Sequence, residues 1–137
     1  MIFIYTDASC NRKRNATAAS CLILKDGVFV SKKEFKLDTN LNTLYAEVWG
    51  AVQAIEHAAA VCDDFEAQGV ILYTDSLGCM DSSKYIHEGS VEQYELDVQF
   101  QSLLRKYNIR TELIHGHSVG HNPNKIVDKF ASRAIRK

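Results

Sequence analysis

The chain has 137 residues, 46% of them apolar and 24% charged, with a net charge of −1. That is one domain's worth of ordinary globular composition, and it argues against a strong attraction of the whole surface to nucleic acid. No apolar run reaches the roughly 18–20 residues needed to cross a bilayer, and because the sequence opens on an expected strand, no signal peptide is expected.

The first stretch, Ile2-Phe3-Ile4-Tyr5-Thr6-Asp7, is an unbroken apolar run ending in a carboxylate. Such a run predicts a strand buried on both faces, central in a sheet. Asp7 is expected where the strand leaves the sheet. Ala8 to Asn15 then reads as a polar loop with three consecutive cations, Arg12, Lys13 and Arg14. Strands follow over Ala18 to Leu24 and Val28 to Leu37, joined by an Asp26-Gly27 hairpin signal. Lys32, Lys33 and Lys36 on the third strand fit a sheet edge protected from further pairing.

After a polar connection from Asp38 to Asn42, helical spacing runs from Thr43 to Val61. Its apolar stripe is Leu44, Val48, Ala51, Ile55 and Ala59. Glu47 flanks that stripe, so this carboxylate is turned toward the core and must be paired, protonated or bound to a metal. His57 falls outside the stripe.

The opening pattern returns as Val70-Ile71-Leu72-Tyr73-Thr74-Asp75. Residues i and i+2 of a strand share a face, so Tyr5 goes with Asp7 and Tyr73 with Asp75. Parallel pairing of the two strands would bring Asp7 and Asp75 within reach of one ion. Helix capping would account for either Asp alone. Ser76 to Tyr85 reads as a short helix, residues 87–90 as a turn, and Val91 to Tyr107 as a long helix burying Leu96, Phe100, Leu103, Leu104 and Tyr107. The last strand is expected over Ile109 to His115.

In the tail, Gly116 and Gly120 bracket His117, which predicts a mobile loop. Asn122-Pro123 opens a final helix, as cap and first helical residue. That helix buries Ile126, Phe130, Ala131 and Ala134, and carries Asp128 near its positive end. Lys125, Lys129, Arg133 and Arg136 form a ridge on another face. The order β-β-β-α-β-α-α-β-α predicts an α/β fold whose mixed five-stranded sheet has three antiparallel strands first and crossovers after, flanked by helices. The four cysteines show no C-x-x-C pair. Free thiols in a reducing, cytoplasmic setting are the expectation.

Asp7, Glu47, Asp75 and Asp128 therefore have a plausible meeting point. Clustered carboxylates repel unless a cation joins them. Oxygen-only donors suit Mg²⁺ or Mn²⁺. Two such ions about 4 Å apart activate water and stabilise the leaving oxygen of a phosphodiester. His117 is placed to carry a proton at the leaving group or to help product depart.

Taken together, IYTDAS (residues 4–9), YAEVWGAVQAI (45–55), LYTDSLG (72–78) and HGHSVGHNPNKIVDKFASRA (115–134) make the chain similar to type 1 ribonuclease H. The resemblance covers the whole chain, and the four motifs stand in the family's order. It implies a ribonuclease H-like single domain over 1–137 that cuts the RNA strand of RNA–DNA hybrids with two Mg²⁺ ions, Mn²⁺ being a possible substitute. It implies Asp7, Glu47, Asp75 and Asp128 as metal ligands and His117 as the catalytic histidine. Hybrid contacts would fall at Ser9, Asn42, Thr43, Ser76 and Asn124. A monomer is expected, working alone or beside a polymerase.

Three departures stand out. Ala8 replaces the family's usual Gly after the first Asp, which would crowd a backbone approach to RNA. Thr43-Leu44-Tyr45 occupy the place where Asn or Gln side chains commonly read the hybrid. The span from Lys84 to Asp97 holds one cation and four acids, Glu88, Glu92, Glu95 and Asp97, where many cellular members carry a basic protrusion. The chain looks protrusion-free, with a weaker grip on the hybrid. Rival readings are a DNA-cutting nuclease of the same superfamily, a non-catalytic module binding nucleic acid or protein, and a zinc site at His115, His117 and His121.

Overall fold

The computed structural model describes residues 1–41, 43–74 and 91–114, the side chains of 43, 44, 92 and 93 aside. β1 (Ile2–Asn11), β2 (Ala16–Lys25), β3 (Val28–Leu37), α1 (Thr43–Val61), β4 (Val70–Thr74), α2 (Val91–Lys106) and β5 (Ile109–Leu113) follow in that order, with a 3-10 turn at Phe65–Ala67 before β4. The sheet order is β3-β2-β1-β4-β5. β1 pairs antiparallel with β2 and parallel with β4. β3 and β5 complete the sheet, antiparallel to β2 and parallel to β4. The expected mixed sheet is therefore observed, with the first strand at its centre. The final helix, the helix from Ser76 and the turn at 87–90 lie outside the described residues.

Three local expectations are corrected. β1 runs on to Asn11, so Asp7 lies within the strand and not at its end. The expected polar loop shrinks to residues 12–15, because Ala8, Ser9 and Cys10 pair with Ala19, Ala18 and Thr17 of β2. Ladder pairing overrides local polarity there. The 3-10 turn carries no sequence periodicity and was not expected; its Phe65 packs edge-on against Tyr107, with ring centroids 4.8 Å apart. His57 is partly buried, with Nε2 2.8 Å from Ser31 Oγ and its ring edge-on to Phe35.

Alternation along β1 sorts its side chains between two cores. Ile2 and Ile4 join Cys21, Ile23, Leu72, Val48, Val52, Ile55 and Phe100 under the two helices. Phe3 and Tyr5 lie on the other face with Leu22, Leu24, Tyr73 and Ile114. Each fully buried Ile, Leu or Phe contributes roughly 1.5–3 kcal/mol relative to exposure. α1 is buried more widely than one stripe, taking in Tyr45, Ala46, Ala54 and Ala58, because it packs against both the sheet and α2. Gly50 is a point of close approach to the sheet. A Cβ there would lie 2.9 Å from the Ala19 Cβ and 3.5 Å from that of Ala8.

Candidate active site

β1 is the strand where neighbour direction changes, from antiparallel β2 to parallel β4. Open α/β sheets bind ligands at such a switch, outside the carboxyl ends of the parallel strands. Among the described residues, β4 pairs with β1 as far as Tyr5, which lies beside Tyr73. Thr6 and the residues after it pair with β2 on the other side. Asp7 is two residues beyond Tyr5 and is buried, with a relative exposure of 4%.

Glu47 approaches from α1 and is also buried, at 8% exposure. Gly50, one turn further along, faces Thr6 and Ala8, the two neighbours of Asp7. Burial raises the Cys10 thiol pKa, the Thr17 hydroxyl lowers it, and the Glu47 charge raises it further. Glu47 is thus felt at Cys10, and Asp7 lies between Thr6 and Ala8, the two β1 residues that Gly50 faces. Alternation puts the Asp7 side chain on the Tyr5 face, whereas Ala8 points to α1. The Ala8 methyl is accommodated by Gly50, away from the face that Asp7 shares with Tyr5 and Ser9. Ser9 is half-buried on that face.

A polar clamp holds the start of α1 to the end of the β1–β2 hairpin. The Thr17 hydroxyl donates to the Thr39 carbonyl at 2.8 Å and accepts from the Leu41 amide at 2.9 Å. The Cys10 thiol donates to the Leu41 carbonyl at 2.7 Å. The Asn40 amide donates to Asn15 Oδ1 at 2.9 Å. This segment leads straight into Thr43, the first residue of α1. Thr17, fully buried, escaped the sequence reading. No motif marks it, because its partners are backbone groups more than twenty residues away.

Of the residues expected in the site, Asp7 and Ser9 lie in β1 on the face of Tyr5, Glu47 lies on α1, which packs on the Ala8 face, and Thr43 opens α1. Asn42, Asp75, Ser76, His117, Asn124 and Asp128 lie outside the described residues. So do His115 and His121. Thr74, the last residue of β4, is buried, and its carbonyl accepts from the Ile114 amide at 2.7 Å. Among the described residues no group of three or more His, Cys, Asp or Glu side chains gathers to hold a metal. Asp7 and Glu47 each supply only carboxylate oxygens, a donor type that suits a hard divalent cation. No helix among the described residues is long and apolar enough to cross a membrane.

The ribonuclease H family model matches residues 1–136. Among solved structures, ribonuclease H1 of the halophilic archaeon Halobacterium salinarum NRC-1 is 17% identical, with a TM-score of 0.76 over 98% of this chain and 97% of that one. LC11 ribonuclease H1 in complex with an RNA/DNA hybrid is 14% identical, with a TM-score of 0.74 over 98% and 99%. The protease-reverse transcriptase of prototype foamy virus is 17% identical, with a TM-score of 0.75 over 96% of this chain and 20% of that one. No curated protein sequence matches.

Proposed function

Since the chain belongs to the ribonuclease H family, we propose that it is an endoribonuclease that cuts the RNA strand of RNA–DNA hybrids, leaving a 5′-phosphate and a 3′-hydroxyl. One observation carries this reading: β1 and β4 run parallel in a register that sets Tyr5 beside Tyr73. An Asp follows each Tyr at the same offset in sequence, Asp7 after Tyr5 and Asp75 after Tyr73, which supports pairing the two in one site, and Glu47 is a buried acid on α1. The hybrid bound in the LC11 structure belongs to that protein; here it supports the choice of substrate.

In this proposal Asp7, Glu47, Asp75 and Asp128 hold two Mg²⁺ ions, with Mn²⁺ as a substitute. When bound, the ions supply an activated water and charge stabilisation at the phosphodiester. Asp7 and Glu47 fix their ligand oxygens by burial, so little reorganisation is needed when substrate arrives. His117 carries the proton at the leaving oxygen. Ser9, Asn42, Thr43, Ser76 and Asn124 touch the hybrid, read by groove shape and 2′-hydroxyls more than by base identity. The chain acts as a single-domain monomer in the cytoplasm, alone or beside a polymerase.

Matched labelled RNA–DNA, RNA–RNA and DNA–DNA duplexes, each with Mg²⁺, Mn²⁺ or EDTA, test this. Metal-dependent cutting of RNA in the hybrid alone, lost in Asp75→Asn, is the expected result. Cutting of DNA would move the chain to another branch of the superfamily. A folded protein that cuts none of them would be a binding module.

A further inference from the structure

The residue order leaves the β1–β2 turn and the start of α2 at the same end of the sheet. β1 ends there, and α2 runs back from it to reach the beginning of β5 two residues after its own last turn. The two sides of this end differ in charge. Arg12, Lys13 and Arg14 are all exposed on the turn. Lys36, also exposed, pairs with Ala18 on the neighbouring rung of β3, two residues from the turn's base. Glu34 lies between Lys32 and Lys36 and is less exposed than either. On the α2 side the first turns present Glu95, while the cations Arg105 and Lys106 sit in the last turn at the far end.

The turn is also braced. The Asn15 amide donates to the Arg12 carbonyl at 3.3 Å, and the Arg14 amide to Asn11 Oδ1 at 3.2 Å. Asn15 adopts a left-handed φ of 48°, which Asn tolerates better than most residues. Its side chain accepts from Asn40, tying the turn to the segment that enters α1. The bracing spares the backbone share of the ordering cost when the turn meets a ligand, while the Arg and Lys side chains still give up rotamer freedom.

We propose that Arg12 and Lys13, with Lys36, form a contact for the phosphate backbone of the nucleic-acid duplex, on the opposite side of the site from α2. The inference rests on the hybrid-cutting reading for the identity of the duplex. β1 carries the chain four residues past Asp7 to Asn11, roughly 13 Å, and Arg12 opens the turn beyond it. At 3.4 Å per base pair that span is about four base pairs of duplex, so the contact falls on the flank of the cut site. Arg14 has an interaction of its own, and the proposal does not need it. The grip is thereby placed on the hairpin; among the described residues, the start of α2 presents an exposed acid, Glu95, and no cation.

The test is binding of a fluorescent RNA–DNA hybrid in EDTA across a KCl series, by wild type, Arg12→Gln/Lys13→Gln, Lys36→Gln and the far-end control Arg105→Gln. Each lost phosphate contact should lower the slope of log K against log salt by about 0.9, so by about 1.8 for the double variant. Arg105→Gln should keep the wild-type slope. In the cleavage assay the double variant should raise KM and leave kcat unchanged. Wild-type slopes in the double variant, or no hybrid binding by wild type, would overturn the proposal. If wild type binds but cuts no hybrid, the catalytic reading fails, and the slopes still decide the contact.

Discussion

The Tyr5 and Tyr73 rings stack with centroids 4.8 Å apart and 11° between their planes, at matching positions of two parallel strands. Phe3 closes the edge of Tyr73 at 5.6 Å. The aromatic pair is thus a register lock for the two strands, holding Tyr5 level with Tyr73. Offset-stacked aromatic pairs contribute about 0.5–1.5 kcal/mol beyond their buried area.

Asp7→Asn and Glu47→Gln should each abolish metal-dependent hybrid cleavage while leaving the fold intact. Removing one oxygen ligand should lower kcat by at least about 100-fold. Circular dichroism and single-turnover cleavage measure the two halves of this statement. Substantial activity in either variant would remove that carboxylate from the site.

Thr17→Val should destabilise the protein by about 1–3 kcal/mol. It strips the Leu41 amide and the Thr39 carbonyl of a buried partner while keeping the side-chain shape. Thr17→Ser retains the hydroxyl and should recover most of the loss. Urea denaturation of the three proteins gives the comparison, and a loss in the Ser variant with none in the Val variant would argue for methyl packing instead.

Gly50→Ala should cost about 1–3 kcal/mol by overpacking. The new methyl meets Ala19 at 2.9 Å, and neither Ala19 nor Ala8 has a flexible end that can swing away. Because the shift falls next to Thr6 and one turn from Glu47, activity should fall with it. A stable, fully active Ala variant would show that α1 can slide without disturbing the site.

His57 should make stability depend on pH. Burial, and secondarily the Lys33 charge, hold its pKa below the ordinary 6.5. The folded protein therefore binds fewer protons than the unfolded chain as pH falls below that value. Its contribution is complete above pH 6.5 and is lost as pH drops through the folded pKa. Wild type should lose stability relative to His57→Gln between pH 7 and pH 5, measured by urea midpoints. Parallel curves for the two proteins would contradict the assignment.

Much of this architecture was readable from local pattern. β3 and α1 begin and end where hydrophobic period and turn residues place them, because Asp26-Gly27 and the α1 stripe are signals written within a few residues. Parallel pairing of β1 with β4 followed from two like apolar runs. Asp7 and Glu47 stood out because a carboxylate against an apolar run needs a reason. The extent of β1 did not follow from local pattern. Ala8 to Asn11 look like loop until β2 pairs with them. Nor did the Thr17 clamp, the contact of His57 with Ser31, or the space that Gly50 makes for Ala8. Each depends on groups distant in sequence that only packing brings together. The sequence by itself determined which side chains carry charge and which runs are apolar, since those are properties of single residues and their neighbours. The tertiary structure decided which face each residue joins and how closely α1 approaches β1, since ladder register and helix packing are settled by contacts between distant segments.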